Sequence, residues 1–327
     1  MSVDKFNGVS LSSIGLIDSV RKEEIDNLNG VTVPSSVAVH TDDLWLDIRP
    51  QDYSGSGTTV PGRVGNRDAT LYNGATVSTT PSGETAFYTD GTNDAVHYRI
   101  TSSSDKPNTT GFPFTAEAWL YRDDDLGPVS ELLVGKPHNS RYRIFDMKII
   151  TSANSGFNND GRRFFSRFYT NQATQSDNSF NAAGQLRGGN PNGNIIGNSS
   201  SSYADKLLTS EVGFNDTTND TWYHVTTCWY EDSGNKLLQD VWINGVLVQD
   251  GAHYTNSSSG ITNAAWPWEG SVSSTYPMSW GYGYTERFTS SDIYRNQYAG
   301  EFRMYTKKLT TAQVLGNFNA TKSNYGY

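Results

Sequence analysis

The stretch Thr221–Asp250, TWYHVTTCWYEDSGNKLLQDVWINGVLVQD, restricts the fold more than any other part of the chain. From Trp222 to Tyr230 β-branched and aromatic residues crowd together. A pleat places Tyr223, Val225, Thr227 and Trp229 on one face and Trp222, His224, Thr226, Cys228 and Tyr230 on the other. After a polar break at Glu231–Lys236, Val241-Trp242-Ile243 meets Val246-Leu247-Val248 across Asn244-Gly245. That dipeptide supplies the two positive φ values of a two-residue type I′ turn. Three successive antiparallel strands follow. Because both faces are apolar and a lone hairpin is marginal in water, the ribbon is expected at the centre of a packed sheet.

The remainder of the 327 residues supports one large all-β domain with a short extension. Only 35% of residues are hydrophobic, but 8 Trp, 19 Tyr and 14 Phe supply enough area per residue for a sizeable core. Helical periodicity is scarce and turn residues are frequent. A net charge of −9 without a basic cluster argues against a nucleic-acid partner. No apolar run approaches the roughly 20 residues of a membrane span, and no secretory signal is visible. The single cysteine, Cys228, lies inside a strand and reads as a small buried hydrophobe.

Residues 1–38 form a leader and linker, and residues 39–327 the main domain. Val9-x4-Ile14-x2-Ile17-x2-Val20 is followed by Val20-x4-Ile25-x2-Leu28-x2-Val31, a repeat of eleven. Spacings of three closed by Asn-Gly predict short helical turns. A mobile leader would explain these residues. A docking segment explains them better, with Val9, Ile14, Ile17, Val20, Ile25, Leu28 and Val31 as the stripe that another protein covers.

Further strands are expected at Leu44–Ile48, on either side of Asp90–Asp94, and at Phe114–Tyr121, Glu131–Gly135, Arg141–Ile150, Arg163–Thr170, Leu207–Val212, Tyr276–Tyr284 and Tyr298–Tyr305. Residues 53–74 read as turns, 171–202 as a long polar loop and 255–274 as an aromatic loop. Thr310-Thr311-Ala312-Gln313 has the pattern of a capping box opening a closing helix.

In their order along the chain, LWLD at Leu44, AFYTDGTND at Ala86, FTAEAW at Phe114, WYHV at Trp222, WINGV at Trp242 and GEFRMY at Gly300 resemble the concanavalin A-like lectin/glucanase fold, in particular laminin-G-like domains. The resemblance implies a jelly roll of two antiparallel sheets packed face to face. The Asn-Gly-Val repeats ahead of it resemble a pattern of marine-phage virion proteins. Together these imply a non-enzymatic virion protein, either capsid decoration or tail fibre, at the surface of an extracellular particle. Its expected partners are other virion proteins through the leader, host-surface polysaccharide, and further copies in a homo-oligomer. The alternative is a secreted carbohydrate-binding module or a glycoside hydrolase.

Related β-glucanases carry Glu-x-Asp-x-x-Glu on one strand. The nearest match, Glu24-Ile25-Asp26-Asn27-Leu28-Asn29, lacks the last acid and lies in the leader, so no catalytic residue is assigned. His224 reads as structural. Trp266, Trp268, Tyr282 and Tyr284 are the candidates for stacking on sugar faces, with core packing or an oligomer contact as the competing explanation. No cofactor is required by any motif. Some laminin-G-like domains bind Ca2+, and Asp90, Asn93 and Asp94 carry oxygens suited to that ion. A turn held by Asx hydrogen bonds explains the same three residues.

Overall fold

The computed structural model describes residues 38–99, 113–123, 129–135, 143–150, 163–169, 207–213, 220–231, 233, 237–253, 277–280, 282–284 and 292–327, preceded by six two-residue strands. Those strands are β1 (Lys5–Phe6), β2 (Val9–Ser10), β3 (Leu16–Ile17), β4 (Val20–Arg21), β5 (Asn27–Leu28) and β6 (Val31–Thr32). They pair as three separate hairpins, with Phe6 opposite Val9, Ile17 opposite Val20 and Leu28 opposite Val31. The spacing of the leader predicts helical turns and does not foresee these strand pairs; residues 11–15 and 22–26, between the hairpins, lie outside the described residues. Residues three apart share a face on a helix, but they also face each other across a two-residue turn, so the spacing suits both.

Strands β7 (Leu44–Ile48), β8 (Thr59–Val60), β9 (Ala69–Tyr72), β10 (Thr76–Thr79), β11 (Thr85–Asp90), β12 (Ala95–Arg99) and β13 (Phe114–Arg122) come next. Then follow β14 (Val129–Gly135), β15 (Arg143–Ile150), β16 (Arg163–Tyr169), β17 (Leu207–Gly213), β18 (Thr221–Glu231), β19 (Leu237–Ile243) and β20 (Val246–His253). The last are β21 (Pro277–Trp280), β22 (Tyr282–Tyr284), β23 (Asp292–Tyr294) and β24 (Asn296–Tyr305), ahead of the single α-helix among the described residues, α1 (Thr311–Thr321). Strands β8, β9 and β10 lie in or next to the stretch that reads as turns. β8 is too short to show a period.

The protein is an all-β sandwich. One eight-stranded sheet runs β10-β11-β24-β13-β18-β19-β20, with β7 pairing β24, and the other runs β17-β16-β15-β14-β21-β12-β9-β8. Of the ribbon expected to be central, β18 is interior but β20 is an edge strand. Between the sheets lie Phe114, Ala116, Ala118, Leu120, Val225, Trp229 and Phe302 from the first and Leu71, Val96, Tyr98, Met147 and Trp280 from the second. Trp280 meets Phe302 edge-on across the layer, with ring centroids 6.3 Å apart.

Strand β13 is buried at all nine positions, which alternation alone would not give. Its second face is roofed by α1 and the 3-10 turn Lys322–Tyr325. The Thr310 hydroxyl accepts from Gln313 N while the Gln313 side chain accepts from Thr310 N, completing the capping box that starts the roof.

Candidate functional site

The outer face of the first sheet carries a row of polar residues. Strand register sets Trp242 opposite Thr226, Thr226 opposite Glu117, Glu117 opposite Arg303 and Arg303 opposite Asp47. The Arg303 guanidinium bonds Glu301 and lies 3.4 Å from Glu117 Oε2, while Arg49 bridges Asp47 at 2.8 Å and Glu301 at 2.6 Å. Asn317 of α1 closes the row by donating to Glu117 Oε2 and to the Tyr305 hydroxyl. Apolar clusters flank it, with Trp119, Tyr121, Trp222, Phe318 and Tyr325 at one end and Cys228, Trp242, Leu309 and Val314 at the other.

Burial drives the electrostatics here. It pushes the Glu301 carboxyl up to about 7, and raises Glu117 as well despite the charge of Arg303. For Asp47 burial also pushes upward, but the Arg49 hydrogen bond and the charges of Arg303 and Arg49 outweigh it and hold the carboxyl below its usual range. His224 is pushed down to about 3 by burial. Neither of its ring nitrogens has a hydrogen-bond partner among the described residues, and Nε2 lies 3.9 Å from Glu117 Oε1. The Cys228 thiol is pushed up to about 12 by burial, which keeps it protonated and inert. With Asp47, Glu117 and Glu301 each about 98% shielded from solvent, this acid cluster is one that no polymer can reach.

The calcium candidates lie in the turn between β11 and β12. Asp90 Oδ1 accepts from Thr92 N at 2.7 Å, Asp94 Oδ2 from Asp90 N at 3.3 Å, and the Asn93 carbonyl from Asn73 Nδ2 at 3.0 Å. One oxygen of each carboxylate thus accepts from a backbone donor, that of Asp90 in an Asx-type turn. Among the described residues no group of three His, Cys, Asp or Glu side chains could hold a metal ion. This arrangement fits a hydrogen-bonded turn.

Trp266 and Trp268 lie outside the described residues. Tyr282 and Tyr284 fall on β22, which pairs with β23 in a two-stranded ribbon of its own. Tyr282 stands opposite Tyr294 and Tyr284 opposite Asp292. Residues two apart on a strand and directly opposed across a pair share one face. The ribbon therefore brings Tyr282, Tyr284, Tyr294 and Asp292 together. Tyr294 and Asp292 were not singled out from sequence, where a three-residue strand shows no alternation. Of the leader stripe, Val9, Ile17, Val20, Leu28 and Val31 are hairpin residues, and Ile14 and Ile25 lie outside the described residues.

No family model and no curated protein matches the chain. Among solved structures, Trypanosoma rangeli sialidase bound to 2,3-difluoro-KDN is similar with a TM-score of 0.50 at 12% identity, over 97% of this chain and 38% of that one. The botulinum neurotoxin serotype D/C binding domain is similar with a TM-score of 0.49 at 9% identity, over 85% of this chain and 52% of that one. The receptor-binding domain of the mosaic serotype C/D toxin gives 0.47 at 11% identity, over 85% and 50%. The chain thus spans well under half of the sialidase and about half of the toxin domains. At such identity the likeness concerns the fold and nothing beyond it.

Proposed function

We propose that the protein is a non-enzymatic, lectin-like binding module of a phage virion, held in the particle by its N-terminal leader and presenting a saccharide-binding face outward. The observation that carries the reading is the β22–β23 ribbon. Tyrosine rings offer apolar faces to sugar C–H groups and hydroxyls to their oxygens, and a carboxylate accepts from sugar hydroxyls. Three tyrosines and Asp292 on one face combine these chemistries. Support for binding rather than hydrolysis comes from the sealed acid cluster, whose carboxylates are engaged by Arg303 and Arg49 beneath α1. The virion setting rests on the resemblance of the leader repeats, and the ligand is host-surface polysaccharide.

The test is binding of the full chain to host polysaccharide, beside a Tyr282→Ala/Tyr284→Ala variant. A loss of affinity of at least about tenfold is expected, on the scale of two removed aromatic contacts. Unchanged binding in the double variant would remove the ribbon from the site. Release of reducing ends from laminarin, agarose, carrageenan or host polysaccharide would overturn the non-enzymatic assignment.

A further inference from the structure

The chain enters the sandwich at a fixed seat. His40 N donates to Asn317 Oδ1 at 2.7 Å, the Tyr305 hydroxyl donates to the His40 carbonyl at 3.1 Å, and the His40 ring stacks on Tyr305 with centroids 6.2 Å apart. Three residues on, the Asp43 carbonyl accepts from Thr306 N at 2.9 Å, and Leu44 then pairs with Tyr305. Asn317 is buried and also bonds Glu117 Oε2, so the seat is continuous with the polar row beneath α1. Residues 40–44 are thereby held at the C-terminal end of β24.

The β22–β23 ribbon stands at the other end of that strand. Tyr282 comes two residues after Trp280, which pairs with Val96 in the second sheet, and Tyr294 comes two residues before Asn296, which pairs with Asp90 in the first. Asp90 closes β11 and Val96 lies at the start of β12, so a single turn joins them and both feet of the ribbon share one end of the sandwich. That turn is fastened to the foot on the first sheet, because Thr89 Oγ1 donates to the Arg295 carbonyl at 2.6 Å. Strand β24 has ten residues, which at about 3.3 Å each puts the seat and the ribbon about 30 Å apart.

We propose that this two-ended arrangement orients the module. The seat turns one end of the sandwich toward the particle, and the opposite end, which carries the ribbon, is the surface that meets the saccharide. The inference rests on the reading of the leader as anchor and of the ribbon as saccharide site. What it adds is that the root of the leader is fixed by His40, Asp43, Tyr305 and Asn317 rather than free to swing, so that contact is made end-on and at a set distance from the anchor.

The experiment uses two handles on the full chain, Ala38→Cys at the seat and Thr92→Cys at the turn beside the ribbon, both at exposed positions. The native Cys228 is buried and takes no label. In the double variant, spin labels should stand about 30–40 Å apart with one narrow distribution of distances. A broad distribution, or a separation below about 20 Å, the length of six strand residues, overturns the inference. Each single variant is then captured on a surface through its handle and offered host polysaccharide. Capture at position 38 should leave the affinity of the free chain intact, and capture at position 92 should lower it at least about tenfold. Equal affinity in the two orientations, or a loss confined to capture at position 38, also overturns the inference. A free chain that binds no polysaccharide removes the saccharide reading of the ribbon instead, and the spin-label distances then decide by themselves whether leader and ribbon are held at opposite ends.

Discussion

Gly245 joins a backbone requirement to a packing requirement. Asn244 and Gly245 have φ of 50° and 76°, as a type I′ turn demands, and the Asn244 side chain is held by His224 N and the Tyr327 hydroxyl. A Cβ on Gly245 would stand 2.8 Å from Leu315 Cδ1 and 3.2 Å from Leu315 Cα, so the turn is also where α1 rests on the sheet. Gly55 separates the two effects, because its φ is 82° and nothing lies within 4 Å of its Cβ position. Gly55→Ala should cost about 1–2 kcal/mol from the left-handed backbone alone. Gly245→Ala should cost that and about 1–3 kcal/mol more from overpacking against α1. Urea midpoints of the two variants decide it, and equal losses would mean that α1 yields freely at the turn. The turn was legible in Asn-Gly. The helix seated on it was not, because Leu315 is seventy residues away and nothing local marks the contact.

Among elements, the C-terminal strap has the largest consequences. Tyr325 stacks on Trp119 with ring centroids 4.3 Å apart, and its hydroxyl accepts from Glu301 N at 2.7 Å. It fits because residue 300 is glycine, where a Cβ would lie 2.6 Å from Trp119 Cβ and 2.7 Å from Tyr325 Cε1. Tyr325→Ala should cost about 3–5 kcal/mol, as for other large aromatic truncations. Gly300→Ala should cost about 1–3 kcal/mol by expelling the ring. Chemical unfolding followed by near-UV circular dichroism measures both, and a Tyr325→Ala loss below about 0.5 kcal/mol, the scale of an ordinary surface change, would make the strap dispensable. Most strands and the capping box could be read because β-branched residues, alternation and cap chemistry are local signals. The leader's strand pairs were not read because one spacing serves helix and hairpin. A tie-breaker was present, since Asn-Gly falls between the opposed residues at Phe6/Val9 and at Leu28/Val31. The row Asp47–Arg303–Glu117 could not be read, since it exists only once β7, β24 and β13 lie side by side. Its one trace is a single charge interrupting each apolar run, in LWLDI, FRMY and FTAEAW.

At the scale of the whole molecule, the buried row should govern how stability varies with pH. The unfolded chain protonates His224 near 6.5, whereas the folded chain does so only near 3, so this residue makes stability fall as pH drops from 6.5 to 3. Glu301 acts in the opposite sense. Its folded pKa of about 7 lies above the ordinary 4.5, so the folded chain holds a proton that the unfolded chain lacks, and stability rises as pH drops across that window. Glu117, raised by burial, adds to the same side. Each group alone contributes a slope of up to about 1.4 kcal/mol per pH unit, so the loss from His224 and the gain from Glu301 offset each other between pH 6.5 and 4.5, and proton uptake by Glu117 tilts the balance toward gain as pH falls. Below that window the gain from Glu301 is complete, while His224 and the depressed Asp47 both drive loss as pH falls, so stability should then drop steeply. Glu301→Gln removes one side of the balance. Between pH 6.5 and 4.5 it should lose about 1–3 kcal/mol that the parent retains, and His224→Gln should instead gain over the same range. Urea unfolding at half-unit pH steps reads the difference directly, and parallel curves for parent and Glu301→Gln would show that the Glu301 carboxyl does not carry its proton inside the fold.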